Sequence, residues 1–352
     1  LYLRGRGFII IPELTGERIE QAASQGSQIW GVLKVILNSY LFYIKELVFP
    51  FSFNAFIGTV PGGGYYLVSS VLVLSLLCVI GLASVKRKEG VTAFSIFWIL
   101  ITISPSCIIA ISRFAATPLA ERYLYIPSAG YCLLLGYLIL KMGNAMKVQK
   151  IAWGIGFLII ISYLFFTVER QGVWRNNLAL WEDSSKKSPN QFLPHLNYGG
   201  ALKEVGRNDE AIREFQVIID PRVTSSKRQK ARASGNIGVI YGIEGDFTTS
   251  EEWLLKSINY DPRYGRPYYH LGLIYVIRGD RGDSSAYVKA EEYLKRTVKI
   301  YPNFGRAYLV LAKLYVRLRE NDKARENAKK ALRTRLNQSL TEDAEYILKI
   351  MN

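Results

Sequence analysis

The stretch GVIYGIEGDFTTSEEWLLKSINYDPRYGRPYYHLGLIY, Gly238 to Tyr275, decides the fold of the C-terminal half. Gly238, Tyr241, Gly245-Asp246, Ser250, Leu254, Ser257 and Pro262 stand at offsets that begin again with Gly272, Tyr275 and Gly279-Asp280. A small residue that recurs opposite a large apolar one marks the point where two antiparallel helices approach closest. A proline at the end of each period stops the second helix.

This is the spacing of the tetratricopeptide repeat: small near position 8, large near 11, small near 20 and Pro near 32 of about 34 residues. Working outward, an earlier copy carries Gly199, Leu202, Gly206 and Ala211. The third has Tyr268, Leu271, Gly272, Tyr275, Ala290, Leu294 and Pro302, with extra residues around Arg281 to Tyr287. The fourth has Tyr308, Leu311, Ala312, Tyr315, Ala324, Ala328 and Ala331. Asn177 to Pro189 reads as the second helix of a half-repeat, and Thr341 to Ile350 as a closing helix. The expected domain is therefore a helical solenoid over residues 169–352: a half-repeat, four repeats and a closing helix.

Upstream the composition changes. Residues 65–168 hold ten Asp, Glu, Lys and Arg, against 32 basic and 23 acidic residues after 168. Four apolar runs, Tyr65 to Val85, Val91 to Ile111, Tyr123 to Leu140 and Ile151 to Val168, are long enough, or nearly so, to cross a hydrocarbon layer that takes about 20 helical residues. The fold class is thus all-α: a polytopic transmembrane bundle over 65–168, then the repeats. Lys86-Arg87-Lys88-Glu89 and the connection with Lys141, Lys147 and Lys150 are basic and expected on the cytoplasmic side. Residues 112–122 and the repeats then face the periplasm, cell exterior or an organelle lumen.

Residues 1–64 form the remaining expected unit, a non-cytoplasmic loop with one further helix. Gln28 to Phe49 is apolar but carries Lys34, Asn38, Lys45 and Glu46, and at about 100° per residue the first three form a narrow polar stripe. The stripe, with Trp30, Tyr40 and Tyr43 for the headgroup boundary and Pro50 as terminator, favours an interfacial or re-entrant helix; a fifth span is the alternative. The first residues, Leu1-Tyr2-Leu3-Arg4, show neither an initiator Met nor a signal pattern, so the chain reads as a piece with its beginning upstream.

The net charge of +16 is scattered rather than blocked. With no nucleic-acid motif present, an anionic membrane surface is the better use of it, and no nucleic-acid partner is expected. Cys78, Cys107 and Cys132 lie in apolar stretches and offer neither a disulfide framework nor a CxxC site. His195 and His270 fall on first helices of repeats and read as packing residues; no metal site or cofactor is identified. Tyr268, Tyr308 and His195 share position 4 of their repeats, a ladder that either packs in the array or lines a peptide groove.

One stretch concentrates chemistry where a span meets the non-cytoplasmic surface: Pro118-Leu119-Ala120-Glu121-Arg122-Tyr123-Leu124-Tyr125-Ile126-Pro127-Ser128. Either Glu121 and Arg122 anchor the interface beside the two tyrosines, or Arg122, with Arg113, grips an anionic headgroup through paired guanidinium donors while Glu121 orients Arg122. The run Ala120 to Cys132, preceded by Pro105-Ser106 and followed by a last span and tetratricopeptide repeats, resembles the back half of the transmembrane and tetratricopeptide repeat O-mannosyltransferases and their microbial relatives. Tyr43 to Phe51 is similar to the interfacial helix ending in Pro that precedes the last spans there.

The resemblance implies a C-type glycosyltransferase that takes a sugar from a polyprenyl-phosphate donor and attaches it to a protein Ser or Thr on the non-cytoplasmic face. A carboxylate would deprotonate the hydroxyl while a cation or arginine stabilises the departing phosphate. It implies a donor site at Arg122, Arg113, Glu121 and Tyr125, with the repeats binding acceptor or partner protein and membrane lipids around the spans. Two departures stand out: nothing matches the family's acidic loop after its first span, so the catalytic residues are unassigned and a divalent metal is left open, and Cys107 stands where many relatives have Asn. The competing class is a non-enzymatic, membrane-tethered repeat scaffold.

Overall fold

A computed structural model describes residues 27–50, 54–112, 119–223, 225–334 and 336–351. The chain divides into two compact units, Leu1–Ser188 and Pro189–Asn352. The first contains α1 (Ser27–Val48), α2 (Gly64–Lys86), α3 (Gly90–Ser112), a 3₁₀ turn (Glu121–Leu124) running into α4 (Tyr125–Ala145), α5 (Gln149–Trp174) and α6 (Asn177–Lys187).

Among the described residues four helices are long and apolar enough to cross a membrane: Gly64–Lys86, Gly90–Ser112, Glu121–Ala145 and Gln149–Trp174. Each contains one of the four apolar runs and extends past it, because a helix carries on into the polar flanks that end the hydropathy signal. Leu76, Ile101, Phe157 and Ile160 stay exposed along them, as side chains facing acyl chains would. Where backbones come close, small residues permit it. A Cβ on Gly130 of α4 would stand 2.7 Å from Trp98 Cδ1 of α3, and one on Gly143 would stand 2.5 Å from the Ala152 side chain of α5. Pro105 inside α3 cannot donate to the Ile101 carbonyl, and Ser104 Oγ donates to that oxygen at 2.8 Å instead.

α1 departs from the expected polar stripe. Lys34 and Lys45 are exposed, but Asn38 turns inward: its Nδ2 donates to the Pro61 carbonyl at 3.0 Å and its Oδ1 accepts from Ser70 at 3.1 Å. Tyr43 is fully buried and packs in a core with Phe42, Leu47, Ile103 and Leu119 instead of lying at a headgroup boundary, and the Tyr40 hydroxyl donates to the Leu100 carbonyl at 2.9 Å. A polar residue on the geometric stripe is drawn to a carbonyl left unpaired by a turn, and packing on α2 and α3 overrides the stripe.

The second unit holds the repeats as helix pairs: α7 (Phe192–Glu204) with α8 (Asn208–Ile219), α9 (Lys227–Glu244) with α10 (Phe247–Tyr260), α11 (Gly265–Asp280) with α12 (Ala286–Ile300), α13 (Gly305–Arg317) with α14 (Asn321–Leu332), and the closing α15 (Gln338–Ile350). A Cβ on Gly199, Gly238 or Gly272 would meet Phe215, Leu254 or Leu294 at 2.7, 2.8 and 2.7 Å, which is why each first helix carries glycine there. Serines on second helices bond back: Ser250 Oγ to the Gly238 carbonyl and Ser257 Oγ to that of Ala231, both at 2.6 Å. Between the helices of a pair, Gly206 and Gly245 take positive φ, a conformation that glycine adopts without strain; Arg319 takes φ 60 in the fourth repeat.

The array was expected to open at residue 169. Instead α5 runs without a break to Trp174, and α6 groups with the membrane helices: Arg170 bonds Asp183, and Asn54 Nδ2 donates to Ser188 Oγ at 2.8 Å. The half-repeat therefore belongs to the first compact unit.

Candidate functional site

The stretch singled out by its chemistry is held from both ends. Leu119 pairs with Ile57 in an isolated antiparallel bridge, and the Ala120 N–H donates to the Tyr43 hydroxyl at 3.2 Å. The buried Leu119 and Leu124 fix the flanks in the α1–α3 core, so the short 3₁₀ turn presents Glu121 and Arg122 from a rigid support.

The two side chains then part. Arg170 Nη2 donates to both Glu121 carboxylate oxygens at 3.0 and 3.2 Å, and Arg170 Nη1 donates to Asp183 Oδ2 at 2.8 Å. Lys187 completes the network on Asp183 at 2.7 Å. Glu121 thus does not orient Arg122, as expected from sequence, because a two-carboxylate grip by one guanidinium outcompetes its chain neighbour. Arg122 lies exposed over the Tyr123 ring at 5.2 Å, with Nη2 3.4 Å from the Tyr123 hydroxyl and no carboxylate at salt-bridge distance among the described residues. Tyr125 is exposed and does not meet Arg122 in any hydrogen bond among the described residues. Arg113 lies outside the described residues.

Beside Glu121 opens a pocket of about 300 Å³ lined by Lys45, Glu46, Asn54, Tyr66 and Glu121 together with apolar groups. Glu46 is 4% exposed and faces Lys45 at 3.7 Å, and its Oε2 has no hydrogen-bond partner among the described residues. Burial pushes the Glu46 carboxyl above the usual carboxylate range, and Lys45 opposes that. A desolvated carboxyl with an unmatched oxygen at a pocket wall is suited to accept a hydrogen bond or a proton from a ligand hydroxyl. Reading the sequence passed over Glu46. The available signal was an acid in an otherwise apolar helix, costly unless used.

The position-4 ladder resolves into packing. His195 is 6% exposed, with Nδ1 2.6 Å from Glu214 Oε2 and Nε2 3.0 Å from the Pro189 carbonyl. Tyr268 is buried and its hydroxyl donates to the Pro262 carbonyl at 3.3 Å, while Tyr308 is half-buried against the core of the last repeats. Position 4 points between helices, so these three do not line an open groove. No group of three or more His, Cys, Asp or Glu suited to a metal occurs among the described residues.

These features define a helical membrane protein carrying tetratricopeptide repeats. The tetratricopeptide repeat family model matches residues 231–264 and 305–338. The chain is similar to Protein O-mannosyl-transferase TMTC1 of Mus musculus, 29% identical over 148 residues covering 42% of this chain and 15% of that protein. TMTC1 of Homo sapiens is 25% identical over 207 residues, covering 54% of this chain and 23% of that protein. Protein O-mannosyl-transferase F38B6.6 of Caenorhabditis elegans is 25% identical over 189 residues, with coverages of 53% and 26%. The chain thus carries tetratricopeptide repeats and is similar to these relatives, and it spans about a quarter or less of their length.

Proposed function

We propose that this chain is part of an integral-membrane glycosyltransferase that moves a sugar from a polyprenyl-phosphate donor to a protein Ser or Thr on the non-cytoplasmic face. The observation that carries the reading is the membrane-edge site itself: a guanidinium at Arg122 without a carboxylate partner among the described residues, on the same 3₁₀ turn as Glu121, which lines the pocket holding Glu46 and its unmatched Oε2. In this reading Arg122 receives the donor phosphate, for which its planar fork is shaped, and the pocket receives hydroxyl-bearing ligand. The repeats bind the acceptor or a partner protein. The similarity to proteins named O-mannosyl-transferases supports the class of reaction.

The test measures binding of a polyprenyl phosphate to the chain in nanodiscs. Arg122→Lys keeps the charge but loses the fork, and affinity is expected to fall by about 1 to 3 kcal/mol, roughly fivefold to 150-fold. Unchanged affinity in a correctly inserted variant would remove Arg122 from the donor site.

The proposed orientation has its own test. In a chain with Cys78, Cys107 and Cys132 replaced by Ala, single cysteines at the exposed Lys88 and Lys256 report the two sides. An impermeant thiol reagent on intact cells is expected to label Lys256→Cys and spare Lys88→Cys. The opposite pattern overturns the assignment of the repeats to the non-cytoplasmic side.

A further inference from the structure

The first helices α7, α9, α11 and α13 lie side by side along the second unit. Arg232, Arg266 and Arg306 occupy the second position of three successive repeats on α9, α11 and α13, and Lys203 lies in the last turn of α7. None of the four has a carboxylate within salt-bridge distance among the described residues. Other first-helix and second-helix cations of the same unit do hold acids: Arg278 holds Glu251, Lys295 holds Glu291 and Lys313 holds Asp343, each at 2.6 Å, and Arg317 holds Asp280 at 2.7 Å.

The cations also act on one another. Burial and then the like charges of Arg266 and Arg228 hold the Arg232 guanidinium below its ordinary range, with Tyr264 opposing. Burial and the like charge of Arg266 lower Lys203 below its ordinary range, with Glu204 opposing. His270, one turn beyond Arg266, is pushed down to about 4 by burial and by Arg266 and Lys203. Tyr264 and Tyr269 are half-buried near these cations, and the Asn236 side chain, one turn after Arg232, has no hydrogen-bond partner among the described residues. Convergent cations with too little counter-charge cost free energy that an anion would return.

We propose that this face binds an acidic peptide segment, with Arg232, Arg266 and Lys203 holding its carboxylates and Tyr264 and Tyr269 covering the residues between. The proposal deepens the reading in which the repeats bind protein, and rests on it. Spacing favours a peptide over a diffuse polyanion. Packed helices lie about 8–10 Å apart. A polyproline II segment rises about 3.1 Å per residue with three residues per turn, so every third side chain returns to one face about 9 Å on. An acid at every third position therefore meets the second-position arginines of successive repeats, with Lys203 within electrostatic reach of Arg266, and a guanidinium can take a carboxylate with two parallel bonds.

The experiment uses the full chain in phosphatidylcholine nanodiscs and a labelled 12-residue peptide of four Glu-Pro-Ala units, followed by fluorescence anisotropy. Binding is expected about tenfold or more tighter than for the Gln-Pro-Ala counterpart. A comparable loss is expected in the Arg232→Gln, Arg266→Gln double variant. The same variant with glutamates instead should prefer a Lys-Pro-Ala peptide, which separates recognition from a folding defect. The His270 ring signals, one of two histidine sets in the chain, should titrate about one unit or more higher with the Glu peptide bound. Equal affinity for the Glu and Gln peptides overturns the proposal, as does full retention of binding by the double variant. Tighter binding of phosphatidylserine vesicles through the same arginines overturns it in favour of a membrane. A random 12-residue peptide array distinguishes the two levels: bound sequences without acidic enrichment overturn the acidic class alone, and no bound sequence overturns the protein-binding reading with it.

Discussion

Replacing Arg170 with methionine is expected to cost about 3–5 kcal/mol of stability, the usual penalty for removing one partner of a buried ionic network. The guanidinium is 13% exposed and neutralises two carboxylates, Glu121 at 15% and Asp183 at 19% exposure, from different parts of the chain. Without it Glu121 is left unpaired, and Asp183 keeps only Lys187. The 3₁₀ turn and α6 should loosen together, visible as faster amide exchange at Glu121–Leu124 and Asn177–Lys187 and as earlier unfolding in denaturant titrations of the detergent-solubilised chain. Arg170→Lys should fall between, since an ammonium cannot bridge both acids with the same fork. Adding Glu121→Gln and Asp183→Asn to Arg170→Met removes the orphaned charges and should recover most of the loss. An unshifted unfolding midpoint for Arg170→Met would show that the network carries no stability.

That network also marks the limit of what could be read from the sequence. Hydropathy identifies the four long helices because a span announces itself residue by residue, and the repeat spacing identifies the helix pairs because each close approach demands a small residue at a fixed offset. Gly238 opposite Leu254 and Gly272 opposite Leu294 are such demands. The partner of Glu121 obeys no local rule: Arg170 is 49 residues away and meets it only after α4 and α5 fold back as a hairpin. Asn38 looks like part of a polar stripe until the turn at Pro61 offers it a carbonyl. Glu46 looks like one more polar residue beside Lys45 until packing closes over it and leaves Oε2 without a partner. The position-4 residues fail as a groove for a related reason. The repeat pattern places them in register, but direction depends on what the neighbouring helix offers, and for His195 that is Glu214 and the Pro189 carbonyl.

The contact between Gly272 and Leu294 supplies the second large effect. Leu294 is fully buried at the meeting of α11 and α12, in a core shared with Tyr275, Ala290 and Leu311. Leu294→Ala deletes three buried carbon atoms where rigid neighbours cannot collapse, and should cost about 2–5 kcal/mol. Gly272→Ala errs the other way: the new Cβ would stand 2.7 Å from Leu294 Cγ and 2.8 Å from Cδ2, overpacking worth about 1–3 kcal/mol. Each repeat holds only its neighbours, so damage in an internal repeat weakens the coupling between α9–α10 and α13–α14 as well. The unfolding transition of either single variant should therefore broaden as well as shift. Combined, the two changes compensate, since truncation of Leu294 vacates the volume the new methyl needs. The double variant should be more stable than the sum of the single losses allows by about 1–2 kcal/mol, a coupling typical of residues in direct contact. Losses that simply add, within about 0.5 kcal/mol, would mean that the glycine is not required by the leucine and that the close approach of the helix pair has another cause.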